Sequence, residues 1–152
     1  MVRLVTISED KEQIASLILN QLPDWFGLPD STREYILNSK DMPFWVYMDE
    51  VPVGFIVLKE TSKYTAEIYV MGVLKEKHHS GIGTILFNEF QEYAKSKGYE
   101  YIQVKTVQKG HYDAYDLTNR FYEKLGFREL ECLPSLWDEW NPCQIYIKAV
   151  ER

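Results

Sequence analysis

The chain has 152 residues, 45% of them hydrophobic and 26% charged, which is enough for one well-filled core and too little for two ordinary domains. No apolar run reaches the about 20 residues that a membrane-spanning helix needs, and the apolar content argues against wholesale disorder. Seventeen Lys and Arg against 23 Asp and Glu leave a net charge of −6. That sign disfavours bulk binding to nucleic acid or to an anionic membrane and fits a neutral or cationic partner.

The opening segment, Met1 to Thr6, turns polar at Ser8-Glu9-Asp10 before a signal-peptide core develops, so the expected location is the cytoplasm. Cys132 and Cys143 lack the paired short spacing of a structural zinc site and read as free thiols. The 11 tyrosines offer broad contact area with polar tips, and some are expected to line a pocket.

In chain order, Arg3 to Ile7 predicts a short strand, and Ile14, Leu17, Ile18 and Leu22 recur at helical spacing until Pro23. A proline-bounded aromatic loop, Pro23 to Pro29, leads to a second short helix capped by Asp30 or Ser31 and running towards Ser39. Phe44 to Met48 and Val51 to Lys59 read as a hairpin turning at Asp49-Glu50, and Thr65 to Leu74 as the next strand. Between Gly83 and Lys97, Leu86, Phe90, Tyr93 and Ala94 mark one side of a helix stopped by Gly98. Tyr101 to Val107 is a strand. A helix from Asp113 to Gly126 follows, with Leu117, Phe121 and Leu125 on its expected buried side. Phe127 to Leu133 and Cys143 to Val150 predict two last strands separated by an ordered loop, Pro134 to Pro142. The expectation is a single α/β domain over residues 1–152 with a mixed sheet.

The most informative stretch runs from Tyr69 to Thr84: a strand, a basic arm with Lys75, Lys77, His78 and His79, then Gly81-Ile82-Gly83 at a helix start. Free amides at a helix N-terminus, unobstructed by a Cβ, bind anions. The dinucleotide motif fails because its third glycine falls at Leu86, and no Gly-Lys-Ser/Thr is present for a P-loop. On spacing alone, a tight strand-to-helix turn with a solvated basic loop is equally consistent.

At this point the chain resembles the GCN5-related N-acetyltransferases. The Gly81-Ile82-Gly83 turn is similar to that family's acyl-CoA pyrophosphate loop, and Arg120 to Phe127 resembles its closing helix and turn. The order of strand, two helices, three strands, helix, strand, helix and two strands is also the family's. The resemblance implies an α+β fold: a mostly antiparallel, twisted sheet of about seven strands flanked by about four helices. Two positions depart from the pattern. His78 replaces the arm's usual Gln or Arg, and Tyr115 stands where an asparagine often contacts the cofactor, so that contact is not carried over.

The implied activity is transfer of an acetyl group from acetyl-CoA to a primary amine. By resemblance, the backbone of Met71 and Val73 would hold the pantetheine arm and acyl carbonyl, and the segment His78, His79, Ser80, Gly81, Ile82, Gly83 and Thr84 the pyrophosphate. Tyr122 sits where the family commonly keeps a general acid, although a tyrosine there can also simply pack beside Phe121. A phenol with a pKa of about 10 stays protonated at neutral pH. Glu67, an acid in an apolar strand whose period-two face includes Tyr69, Met71 and Val73, is the expected base, with a solvated edge position as the alternative.

Trp25, Phe26 and Trp137 are the expected acceptor-binding residues, since carboxylates beside indoles, as in Leu136-Trp137-Asp138-Glu139-Trp140, suit a cationic amine. The same tryptophans could instead fill core under long loops. The acceptor is expected to be a small-molecule or peptide amine, and dimerisation through a sheet edge or the last strands suits such a fold. A metal enzyme using His78, His79, His111 and the cysteines is disfavoured by the absence of His-Glu-x-x-His and of short cysteine pairs. A non-catalytic acyl-CoA-binding module and a cofactor-free interaction domain are the remaining rivals.

Overall fold

A computed structural model describes residues 1–151. Its elements are β1 (Val2–Val5), α1 (Ser8–Leu19), α2 (Pro29–Ser39), β2 (Phe44–Asp49), β3 (Val51–Ser62), β4 (Thr65–Val73), α3 (Ile82–Ser96), β5 (Tyr101–Val107), α4 (Asp113–Lys124), β6 (Arg128–Asp138) and β7 (Asn141–Ala149). The strands form one seven-stranded sheet in the order β1-β2-β3-β4-β5-β7-β6. Every neighbouring pair is antiparallel except β4 with β5. The expected α+β architecture and its element order are therefore the observed ones. Among the described residues no helix is long and apolar enough to cross a membrane.

The core follows from amphipathic helices laid on this sheet. Helix α1 buries Ile14, Ala15, Ile18 and Leu19, and α3 buries Leu86, Phe87, Phe90 and Ala94, each large apolar side chain contributing about 1.5–3 kcal/mol. Phe44 and Phe55 stack at 5.2 Å across the β2–β3 ladder.

Three local expectations are corrected. Helix α2 begins with Pro29 behind an N-cap Leu28, so neither Asp30 nor Ser31 caps it; Pro29 fixes φ and brings no N–H to satisfy. The buried side of α4 is Asn119 and Tyr122, while Leu117 is exposed. Asn119 is tolerated there because its amide donates to Val107 O at 2.9 Å and Tyr115 O at 2.6 Å, and its Oδ1 accepts from the Tyr146 hydroxyl at 2.6 Å. Most of the expected loop at Pro134 to Pro142 is strand: β6 runs on to Asp138 and turns tightly into Asn141, the two facing each other in the ladder.

One irregularity organises the centre of the sheet. Val57 pairs with Val70 and Leu58 with Ile68, which leaves Tyr69 as an extra residue, a β-bulge. The parallel ladder of β4 with β5 starts at Thr65 opposite Tyr101 and ends at Ile68 opposite Val104. Beyond the bulge, β4 continues to Val73 and β5 to Val107 without pairing, so the sheet splits.

The bulge also exchanges faces. Lys59 lies opposite Glu67 and Ile56 opposite Met71; three residues apart on β3, they point to opposite sides. A Cβ at Gly54, which pairs with Val73, would meet Leu86 and Ile82 of α3 at 3.2 and 3.3 Å. One at Gly72 would meet Leu22 and Ile18 at 3.0 and 3.3 Å. Met71 and Val73 therefore share the α3 side, and Glu67 the α1/α2 side, so the expected single face of Glu67, Met71 and Val73 does not exist.

Candidate active site

The split opens into a cleft of about 420 Å³ whose walls include Tyr69 to Val73 of β4 on one side and Val104 to Val107 of β5 on the other. Because the ladder stops at Ile68, the main-chain groups of β4 that point towards β5 have no strand partner past the bulge. The cleft passes through the sheet: α3 and α4 border it on one side, Phe26 and Tyr35 of the α1–α2 region on the other.

At the α3 end, left-handed backbone at His79 (φ 64°) and at Gly81 (φ 86°) turns successive amides the same way. The first α3 amide with a backbone acceptor is that of Ile85, which bonds Gly81 O at 3.0 Å. Gly81 provides no capping side chain, so the amides of Ile82, Gly83 and Thr84 remain available. A Cβ on Gly81 would meet nothing within 4 Å, whereas one on Gly83 would lie 3.0 Å from two carbons of the Phe121 ring. Thus Gly81 is needed for its φ, and Gly83 for the approach of α4. The Ser80 hydroxyl bonds Lys77 O and holds the arm's last turn.

The arm is tied to β4 by His78, whose Nε2 lies 2.8 Å from Val73 O, a contact that requires the Nε2–H form. The Trp25 ring sits edge-on to His78 at 5.5 Å. Its indole N–H donates to Thr118 Oγ1 at 3.0 Å and to Ala114 O at 3.1 Å, and the Tyr115 hydroxyl donates to Trp25 O at 2.7 Å. The residue at the departed asparagine position is thus a tether for the α1–α2 loop. Arg120 and Lys124 of α4 also line the cleft.

Tyr122 projects from α4 into the same space and is 5% exposed. Its ring packs on Phe121, Phe127 and Tyr146 with centroids 5.4, 5.6 and 6.2 Å away, yet no described residue hydrogen-bonds its hydroxyl. Packing and an available phenol are both true of it. Burial, with smaller contributions from Tyr115 and Tyr35, raises the phenol's pKa far above its usual value.

Glu67 is 4% exposed and does not line the cleft. Its Oε1 receives the Lys105 ammonium at 3.0 Å and the Gln103 amide at 3.0 Å. Lys105 itself lines the cleft. Of the expected acceptor residues, Trp25, Phe26 and Trp137 all line it, and the cofactor residues Met71, Val73, His78, His79, Gly81, Ile82, Gly83 and Thr84 do so as well. Ser80 is in the arm but not in the lining. Asp138 does not reach the cleft; its carboxylate accepts from Asn141 Nδ2 and Trp140 N, each at 2.9 Å. Sequence reasoning passed over Tyr35 and Lys105. The first lies on a helix of weak amphipathicity, and the second is an ordinary exposed position of an alternating strand.

The split sheet thus carries an amide nest at one mouth of the cleft and a phenol in the gap. Residues 10–127 match the family described as Acetyltransferase (GNAT) family, and the chain belongs to it. Among solved structures it is similar to a GNAT-family protein from Desulfovibrio desulfuricans, with a TM-score of 0.81 at 19% identity over 99% of both chains. It is also similar to an aminoglycoside 6'-N-acetyltransferase in complex with coenzyme A, with a TM-score of 0.74 at 19% identity over 99% of this chain and 98% of that one. A third is the ribosomal-protein-S18-alanine N-acetyltransferase of Escherichia coli, with a TM-score of 0.76 at 13% identity over 100% and 96%. At these identities the likeness is one of fold. No curated protein sequence matches the chain.

Proposed function

We propose that this acetyltransferase moves an acetyl group from acetyl-CoA directly to a primary amine of a small molecule or peptide, with the cofactor on the α3/α4 side of the split sheet and the amine entering from the α1/α2 side. The observation that carries this reading is the cleft through the sheet, which joins the amide nest at Gly81 to the partnerless hydroxyl of Tyr122. The nest fits a pyrophosphate: amides converge, no Cβ obstructs Gly81, and Arg120 and Lys124 add positive charge nearby. Acetyl-CoA supplies the activated acetyl thioester.

The chain's own groups then have separate tasks. Unpaired main-chain groups of β4 near Val73 orient the pantetheine arm and polarise the carbonyl. Tyr122 gives its proton to the departing thiolate as the C–N bond forms and the C–S bond breaks, and recovers one from the amine through water. Glu67, already paired with Lys105 and Gln103, holds the Lys105 ammonium at the cleft wall instead of taking the amine proton directly. A cation at the wall favours the neutral, nucleophilic form of an incoming amine.

The test is thiol release from acetyl-CoA over a panel of primary amines, with Tyr122→Phe in parallel. Loss of the phenol is expected to lower kcat by about 10²-fold, within the range for a general acid, while calorimetry finds coenzyme A affinity changed by less than about twofold. Equal kcat for the two proteins would remove Tyr122 from the chemistry. Cofactor binding without turnover of any amine would instead identify a non-catalytic acyl-CoA-binding module.

A further inference from the structure

The acceptor mouth has a composition opposite to that of the chain. The protein carries a net charge of −6, yet no Asp or Glu is found among the described residues lining the cleft. Lys105 lines the α1/α2 side, and Lys59, on the same face as Glu67, lies 5.5 Å above the Tyr69 ring. Two carboxylates outside the lining, Glu67 and Glu34, act on Tyr35, and Glu67 is paired with Lys105. The wall itself is aromatic and ordered. Phe26 meets Tyr35 edge-on at 6.0 Å, Tyr35 meets Tyr69 at 5.2 Å, and the Asn38 amide donates to the Tyr69 hydroxyl at 2.9 Å. Trp137 of β6 also lines the cleft. Tyr35 lines the space, and no described residue hydrogen-bonds its hydroxyl, which is left free to meet a ligand or water.

From this geometry we infer that the acceptor is an amine borne on an aromatic frame with no second positive charge, its ring packed on Phe26, Tyr35 and Trp137 and its amine hydrogen-bonded to the Tyr35 hydroxyl. Offset and edge-to-face ring contacts reward a flat apolar frame. A second ammonium finds no carboxylate among the described lining residues to pair with, and Lys59 stands over the same aromatic wall. One ring of this wall, that of Tyr69, already has Lys59 over it. The inference rests on the transferase reading for its chemistry, but it can be read by binding alone.

Phenylalanine amide and lysine amide present the same α-amine and differ in the frame behind it. Calorimetry on the intact protein, both free and saturated with coenzyme A, is expected to give phenylalanine amide at least about tenfold tighter binding. Phe26→Ala and Trp137→Ala should each weaken phenylalanine amide severalfold and leave lysine amide and coenzyme A unchanged. Tyr35→Phe keeps the ring and should weaken it less than Phe26→Ala does. Lysine amide binding equally or more tightly, no binding of phenylalanine amide, or indifference to both wall substitutions overturns the inference. Tighter binding of phenylalanine amide with no acetylation of it or of any other amine in the panel would sink the transferase reading and uphold the binding preference. Acetylation of both amides with equal kcat/KM would do the reverse.

Discussion

A methyl group added to Gly83 would stand 3.0 Å from Cε1 and Cζ of Phe121, whereas one added to Gly81 would touch nothing within 4 Å. The two glycines of one motif therefore respond to alanine for different reasons. At Gly83 the clash pushes α4 away from α3, with an overpacking cost of about 1–3 kcal/mol. At Gly81 the cost is the left-handed φ of 86°, about 1–2 kcal/mol, with α4 left in place. Urea unfolding should show both losses. Only Gly83→Ala should also lower kcat, because the displaced Phe121 adjoins Tyr122 on the same helix; an unchanged kcat would show that α4 does not depend on this contact. The sequence shows the glycines and their spacing, but not that a ring from a helix far along the chain occupies the space above one of them.

At the scale of elements, the α1–α2 loop is held across the cleft by three hydrogen bonds that converge on Trp25, from its indole to Ala114 and Thr118 and from Tyr115 to its carbonyl. Removing the indole N–H in Trp25→Phe leaves two acceptors on α4 without this donor, at a cost of about 1–2 kcal/mol locally. Amide exchange in residues 23–28 is expected to accelerate by at least about fivefold in Trp25→Phe, and in Tyr115→Phe for the same reason, with exchange in α3 unaffected. Unchanged exchange in the loop would show that the tether does not hold it. The helices and hairpins that frame this loop are legible from apolar periodicity, because each buries one stripe or one face. The split is not legible. It depends on Tyr69 being the one residue of β4 without an opposite number on β3, a register choice made between strands. Strict alternation along β4 therefore put Glu67 beside Met71 and Val73, on the wrong side of the sheet. The β6–β7 hairpin was hidden differently: Pro134 and Pro142 read as breakers, yet the β6 edge tolerates a missing donor and the ladder is irregular between Leu133 and Asp138.

For the whole molecule, converging phenols in one cleft set a limit on the alkaline side. Burial pushes Tyr35 and Tyr115 up to about 12, and Tyr122 further in the same direction. In the unfolded chain these phenols ionise near about 10. Between pH 10 and 12 the folded protein therefore binds more protons than the unfolded one, so stability is full below pH 10 and declines as pH rises through that window. Each such phenol contributes a slope of about 1.4 kcal/mol per pH unit. Urea unfolding at several values from pH 9 to 11.5 should show little change up to pH 10 and a steepening fall above it. Tyr35→Phe should reduce that slope by about one proton's worth, and because the Tyr35 hydroxyl makes no bond to a described residue, it should leave stability at pH 8 almost unaltered. An identical slope in the variant would show that the Tyr35 phenol ionises at the same pH in the folded and the unfolded protein, so that burial in the cleft does not raise it.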